Sequence, residues 1–328
     1  MIDSSGPAAS FGQPICDAHH HLFDTAKRRY ALDDFRRDIA GLPVVKSVFV
    51  ECGEHYHADG PTEYRPVGET SWVAGMDDGG LVAAIVGYAD LSAANIADIL
   101  AAHIEAGRGR FRGVRQGAAW DSAAGIAMTH VTTRPGMLNT APYVRGVTAL
   151  ASAALVCDVY VYFHQLTEVA RLARAVDTTI VLNHLGGILG VGDYATNRSV
   201  VMQNWRAQLA TVAACSNVHL KVGGLGRPLA GTGWNVADAQ PDVDDVVVYW
   251  REDVLWAIEL FGASRCIFES NFPVDRQSFS YATCWQTLDR IVADFSPGER
   301  QALFHDNAVR VYRLTDDIQR TNALRNRS

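Results

Sequence analysis

The chain has 328 residues, of which 48% are hydrophobic and 20% are charged, and its formal net charge is −7. This balance is typical of a globular protein with a large core, and no basic stripe indicates a nucleic-acid partner. The longest apolar runs are too short to cross a bilayer, and residues 1–14 lack the basic start and apolar core of a secretory signal, so no membrane partner is expected.

The six cysteines are scattered along the chain and form no Cys-x-x-Cys motif. Most lie in apolar runs, where a free thiol behaves as a small hydrophobic group. We therefore expect reduced, structural thiols and a cytoplasmic protein. A homodimer is the default expectation for its assembly.

Eight short apolar runs alternate with helix-like segments along the chain. The predicted strands are residues 15–19, 47–52, 81–89, 113–115, 159–164, 179–184, 218–222 and 266–271. The predicted helices are residues 94–106, 140–153, 168–176, 200–215, 246–261 and 281–295, and Ser296 is expected to cap another.

Runs this apolar, without alternation, suit parallel strands that are covered on both faces. Eight such strands with helices between them predict an α/β fold, the (β/α)8 TIM barrel. A doubly wound open sheet is the alternative, but no Gly-x-Gly-x-x-Gly follows the first strand.

The barrel is expected to span residues 14–314, between an N-terminal arm (1–13) and a C-terminal tail (315–328). Three long connections, at 53–80, 117–139 and 223–245, are rich in glycine, proline and polar residues. Each follows a strand, so all three should crowd the carboxyl-end mouth of the barrel. Long loops at that position usually shape a binding site.

His19 and His21 stand one residue apart in the first predicted strand. Strand side chains alternate between faces, so both imidazoles should point the same way and could bind one divalent metal ion. A histidine-rich turn without a metal is the alternative. Two other predicted strands end in His164 and His184, and strand ends of a parallel barrel converge on one mouth. We therefore expect these four histidines to meet.

With these histidines in place, the chain resembles the amidohydrolase superfamily, in particular its amidohydrolase 2 branch. That branch contains TIM-barrel metal-dependent hydrolases, lactone hydrolases among them. The resemblance runs from about residue 14 to residue 314 and is carried by residues 17–21, 111–115, 164, 183–187, 270–273 and 304–308.

The resemblance implies roles for individual residues. His19 and His21 match the metal-binding pair of the first strand, and His164 matches a frequent third ligand. His184 matches a histidine that faces the substrate or the attacking water. Arg115 matches an arginine that binds a substrate carboxylate, a task for which a bidentate guanidinium is suited. The implied cofactor is a divalent metal, with zinc preferred and manganese or no metal left open.

The chain departs from the family pattern at the eighth strand. The aspartate that usually ligates metal and takes a proton from water is replaced by Asn271. An amide cannot act as a general base at neutral pH and lacks the charge that holds a dication. The candidates for the missing base are Glu269, Glu51, Asp275 and His184.

Each of these acids has a structural interpretation as well. Glu269 or Glu51 could be a buried carboxylate paired with Arg115 or Lys221, because a lone buried charge is costly. Asp275 could cap a turn or pair with Arg276. Three further residues near strand ends, which could contact substrate or lie in solvated loops, are Tyr88, Gln116 and Trp120.

The function predicted from these observations is hydrolysis of a small organic ester, most simply a lactone that carries a carboxylate, by a metal- or base-activated water. A metal-dependent decarboxylase of a small carboxylated substrate is one alternative. A catalytically degenerate binding paralogue is another; Asn271 favours it, whereas the retained histidines argue against it. In each case the partner is a small molecule.

Overall fold

A parallel sheet of eight strands forms the centre of the computed structural model, which describes residues 11–25, 28–123, 125–126 and 131–314. The strands are β1 (Ile15–His20), β2 (Phe23–Thr25), β3 (Arg28–Tyr30), β4 (Val44–Val50), β5 (Val82–Gly87), β6 (Phe111–Arg115), β7 (Val156–Val159), β8 (Ile180–Leu182), β9 (Val218–Val222) and β10 (Cys266–Phe268). β1 and β4 to β10 pair in chain order, and β2 and β3 form a separate antiparallel hairpin.

Helices cover the outside of this sheet. They are α1 (Leu32–Asp38), α2 (Val67–Ala74), α3 (Ile96–Ala106), α4 (Ala141–Ser152), α5 (Leu166–Ala175), α6 (Arg198–Ala213), α7 (Val243–Phe261), α8 (Tyr281–Ile291), α9 (Pro297–Gln301) and α10 (Asn307–Val311). The predicted TIM barrel is confirmed. Residues 1–10 of the predicted arm and the whole predicted tail, 315–328, lie outside the described residues.

Local sequence explains where the helices form and how they face the sheet. The apolar residues of α5 recur at helical spacing and are buried on one face. α9 begins at the predicted cap: Ser296 Oγ accepts from the Glu299 backbone N–H, and the Glu299 carboxylate accepts from the Ser296 N–H. This reciprocal pair satisfies backbone donors that the first turn leaves unbonded.

Main-chain hydrogen bonds beyond the end of β10 close the barrel against β1. The Asn271 N–H donates to the His19 carbonyl (2.9 Å), and the His21 N–H donates to the Phe272 carbonyl (2.7 Å). Next to this seam, the buried Asp17 carboxylate accepts from the Ser270 hydroxyl (2.6 Å) and N–H (3.0 Å). Burial raises the pKa of Asp17 to about 6. The seam fixes the chain on either side of the residues that carry the chemistry.

The Tyr281 hydroxyl also donates to Asp17, at 2.9 Å. We expect Tyr281→Phe to lower the free energy of unfolding by about 1.5–3 kcal/mol, because a hydrogen bond to a buried acid is lost. Tyr143→Phe is the matched control, since the buried Tyr143 hydroxyl has no hydrogen-bond partner among the described residues. Urea unfolding of both variants measures the difference, and equal destabilisation would contradict this assignment.

The barrel interior contains an apolar cluster of buried side chains. Small and branched side chains from alternate strand positions pack there against Tyr312 and its neighbours, which lie in α10 or directly after it. The Tyr312 hydroxyl donates to Asp158 of β7 (2.8 Å), and Asp158 accepts from Lys221 Nζ (2.7 Å). Lys221 Nζ in turn lies 3.5 Å from His19 Nδ1. A column of polar groups therefore runs through the barrel interior from Tyr312 to the histidines at the mouth.

The fifth barrel strand lies earlier than its predicted position. β7 covers Val156–Val159, whereas residues 159–164 were expected to be extended. His164 instead lies in a short 3-10 helix, Phe163–Gln165, beyond the strand.

The six cysteines are free thiols, five of them buried. No helix in the described part of the chain is long and apolar enough to span a membrane.

Candidate active site

A cavity of about 420 Å³ opens at the carboxyl ends of the barrel strands. Its walls come from strand ends and mouth loops and include His21, Glu51, Arg115, His184, Arg227 and Asn271. Such a volume suits a small organic molecule.

His19 and His21 face each other as the strand alternation predicts. Their Nε2 atoms are 3.2 Å apart, and His21 Nδ1 lies 2.8 Å from the Val50 carbonyl oxygen. A carbonyl oxygen only accepts, so the His21 proton resides on Nδ1 and Nε2 keeps its lone pair. Burial lowers the pKa of both rings well below the usual value. Both imidazoles are therefore neutral, which is the form that binds metals.

Glu269 lies between two of the histidines. Its Oε1 accepts from Nδ1 (2.7 Å) and from the backbone N–H (2.9 Å) of His184. Its Oε2 approaches His19 Nδ1 at 2.8 Å but has no hydrogen-bond partner among the described residues. Burial raises the pKa of Glu269 to about 7. The acid two residues before Asn271 is thus in contact with the histidine cluster.

The donor atoms of His19, His184 and Glu269 all lie within 4.8 Å of one another. Two neutral imidazoles with one carboxylate are a ligand set of catalytic zinc sites. The Oε2 atom of Glu269, which lacks a hydrogen bond, is available to a cation. The chemistry of this group fits a divalent metal.

The structure does not bring His164 into this group. Its Nε2 lies 3.1 Å from the Trp120 carbonyl oxygen and 3.7 Å from Asp121 Oδ2. The reason is the early end of β7 at Val159, which leaves His164 in the loop beyond the strand. The set of donors gathered here therefore differs from the predicted His19, His21 and His164.

Arg115 and Glu51 form a buried ion pair. Arg115 Nε donates to Glu51 Oε1 (2.7 Å), and Nη2 donates to the Glu51 carbonyl (2.6 Å). Arg115 Nη1 lies 3.2 Å from His19 Nε2. Glu51 is thus a buried carboxylate paired with Arg115, which was one of its two interpretations from the sequence. The carboxylate of Glu51 compensates the charge of Arg115. Lys221 pairs with Asp158 rather than with either glutamate.

Asn271 lines the cavity and is held from behind by Asp275. Its Nδ2 donates to Asp275 Oδ1 (2.7 Å), while Asp275 Oδ2 accepts from the Gly226 N–H (2.8 Å). Burial raises the pKa of Asp275 to about 7. Asp275 therefore fixes the amide of Asn271 and joins two mouth loops.

The three other predicted contact residues are not among those that line the histidine cavity. Tyr88 and Gln116 line another cavity, of about 540 Å³. Gln116 is engaged with its surroundings, since its Oε1 accepts from the Leu91 N–H (2.9 Å). The Trp120 N–H donates to Gln165 Oε1 (2.9 Å).

Sequence reasoning missed Arg227, which lines the cavity five residues after β9. The glycine-rich run before it was a usable signal. Gly224 has φ +63°, and a Cβ built there would lie 2.8 Å from His184 Nδ1. Only glycine lets the loop pass this close to the histidine.

The fold is a TIM barrel. The buried histidines and the carboxylate at its carboxyl-end mouth are side chains of the kind that bind a divalent metal, so the protein is of the class of TIM barrels with such a site. The model of the amidohydrolase family (Amidohydro_2) matches residues 16–314. The chain therefore belongs to the amidohydrolase family.

Among curated proteins, the chain is 32% identical over 324 residues to the uncharacterised protein y4mH of Sinorhizobium fredii, covering 92% of this chain and 98% of that protein. It is 28% identical over 238 residues to an L-fucono-1,5-lactonase of Burkholderia multivorans, covering 72% and 73% of the two chains.

Two solved structures illustrate the shared fold. An amidohydrolase from Burkholderia multivorans with bound zinc is 24% identical, with a TM-score of 0.72 over 92% of this chain and all of that one (100%). A 5-carboxyvanillate decarboxylase from Sphingomonas paucimobilis is 11% identical, with a TM-score of 0.55 over 93% of this chain and 100% of that one. These two structures show the shared fold, and no specific substrate follows from them.

Proposed function

We propose that the protein hydrolyses a small carboxylate-bearing lactone in the mouth cavity. Water adds to the lactone carbonyl carbon, the bond from that carbon to the ring oxygen breaks, and the ring oxygen takes up a proton. The observation that carries the proposal is the position of Glu269, which is buried between His19 and His184 with contacts of 2.8 and 2.7 Å. The lactonase relative supports the choice of substrate class.

Glu269 takes the role of the missing aspartate in this proposal. In the metal-free protein burial raises the pKa of its carboxyl group to about 7, which favours proton uptake near neutral pH. His184 lines the cavity and orients the attacking water beside Glu269. Asn271, fixed by Asp275, offers its amide to the water or to the ester but takes no proton.

His19, His184 and Glu269 would hold a divalent metal, for which we propose zinc because two imidazoles and a carboxylate suit it. When bound, zinc supplies Lewis acidity that polarises a carbonyl or lowers the pKa of a water molecule to about 7. A carboxylate that ligates a metal can also accept a proton, as the family aspartate does. Glu269 would therefore be both a metal ligand and the proton acceptor.

A paired assay tests the reaction class. The purified protein is incubated with lactones and, separately, with carboxylated aromatic compounds, while acid release and CO2 release are followed. We expect acid release from lactones without CO2. Release of CO2 from the aromatic acids would replace the proposal with a decarboxylase, and turnover of neither class would favour a binding protein.

A further inference from the structure

The cavity contains a buried cation that no carboxylate contacts. Three cationic side chains are buried in the described part of the chain: Arg115, Lys221 and Arg227. Arg115 has Glu51 at 2.7 Å, and Lys221 has Asp158 at 2.7 Å. Arg227 is only 5% exposed, yet it has no carboxylate within 4.0 Å among the described residues. Its positive charge acts on the more distant carboxyl groups of Glu269 and Asp275, whose pKa values burial raises and this charge lowers. A buried charge without a contacting partner is costly, so this exception indicates a role.

The hydrogen bonds of Arg227 all go to neutral acceptors. Nε donates to the Gly224 carbonyl (3.1 Å), Nη2 to the Ile188 carbonyl (3.3 Å) and Nη1 to the Tyr160 hydroxyl (3.4 Å). All three acceptors are neutral. A guanidinium has five N–H donors, so one N–H on each terminal nitrogen has no partner within the described residues. Two neighbouring donors of this kind match the two oxygens of a carboxylate.

The loop that carries Arg227 is held in place before any ligand arrives. The Gly226 N–H donates to Asp275 Oδ2 (2.8 Å), and the Gly226 carbonyl accepts from the Ser278 hydroxyl (2.7 Å). Arg227 and His184 line the same cavity. An anion can therefore bind next to the catalytic cluster without reordering this loop.

We propose that Arg227 binds the carboxylate of the substrate and makes the cavity selective for anionic lactones over neutral esters of the same shape. The sequence had suggested Arg115 for this task, but Arg115 is already paired with Glu51. This inference rests on the proposed function for its catalytic consequence. The binding of a carboxylate at Arg227 does not depend on turnover.

The test compares a lactone acid with its own methyl ester. The substrates are 5-oxotetrahydrofuran-2-carboxylate and its methyl ester, which differ in charge at one end only. The wild-type kcat/KM should be at least about tenfold higher for the acid. Arg227→Gln should reduce that ratio to near one, mainly through KM, and Arg227→Lys should keep part of it. Arg29→Gln is the matched control, because Arg29 is an exposed arginine that pairs with Asp24 and does not line the cavity.

Calorimetry with 2-hydroxyglutarate, the hydrolysis product of that acid, separates this inference from the proposed function. If neither lactone is hydrolysed but the product binds at least about tenfold more weakly to Arg227→Gln, the proposed function fails and the role of Arg227 stands. The inference is overturned if the wild-type protein does not bind the product, or if wild type and a folded Arg227→Gln bind it equally. Equal wild-type kcat/KM values for the acid and its methyl ester also overturn the inference. If Arg227→Gln does not fold, this wild-type comparison is the deciding test.

Discussion

Glu269→Gln is expected to lower kcat for lactone hydrolysis by about a hundredfold or more. The substitution keeps the shape of the side chain but removes both the proton acceptor and the negative charge beside His19 and His184. Steady-state kinetics on the lactone identified by the acid-release assay measures the effect.

The matched control for this variant is Glu252→Gln. Glu252 is an exposed residue of α7 whose carboxylate pairs with Arg206 on the surface. This variant should keep wild-type kcat. A Glu269→Gln protein with kcat within a few-fold of wild type would show that the base lies elsewhere, with Asp275 the next residue to replace.

His184→Ala should lose bound metal, whereas His164→Ala should keep it. We expect about one zinc ion per wild-type chain, measured by elemental analysis of protein purified without chelators. His184 belongs to the gathered donor group, and His164 faces the Trp120 carbonyl instead. The two variants remove the same side chain, so any difference reports position alone.

Chelation extends this test to function. Removal of the metal should abolish lactone hydrolysis, and added zinc should restore it in the wild type and in His164→Ala but not in His184→Ala. If His164→Ala loses as much metal as His184→Ala, His164 is a metal ligand, as the family resemblance implies. Equal, negligible metal in wild type and His184→Ala would remove Lewis-acid chemistry from the proposal.

The fold could be predicted because most residues on both faces of the barrel strands are buried, which produces apolar runs that a sequence reveals directly. The same property hides the ends of the strands. Residues 159–163 are as apolar as a strand interior, so nothing in the pattern indicates that β7 ends at Val159. His164 was therefore placed at a strand end that lies several residues earlier.

The candidate site was predictable in its residue types but not in its pairings. Glu51 and Glu269 were equivalent in sequence, as buried acids near basic residues. Only distances across the barrel show that Glu51 pairs with Arg115 while Glu269 contacts His184. Arg227 gave no periodic signal, because its position depends on how a glycine-rich loop folds back over a histidine from another strand.

The polar column through the barrel makes the mouth sensitive to the far end of the chain. Tyr312 reaches Asp158, Asp158 fixes Lys221, and the Lys221 ammonium lies beneath His19. A truncation before Tyr312 would take away one of the donors that orient Asp158 and would loosen the ammonium group below the imidazole. Damage at the carboxyl terminus would then appear as impaired chemistry, although every residue that lines the cavity is intact.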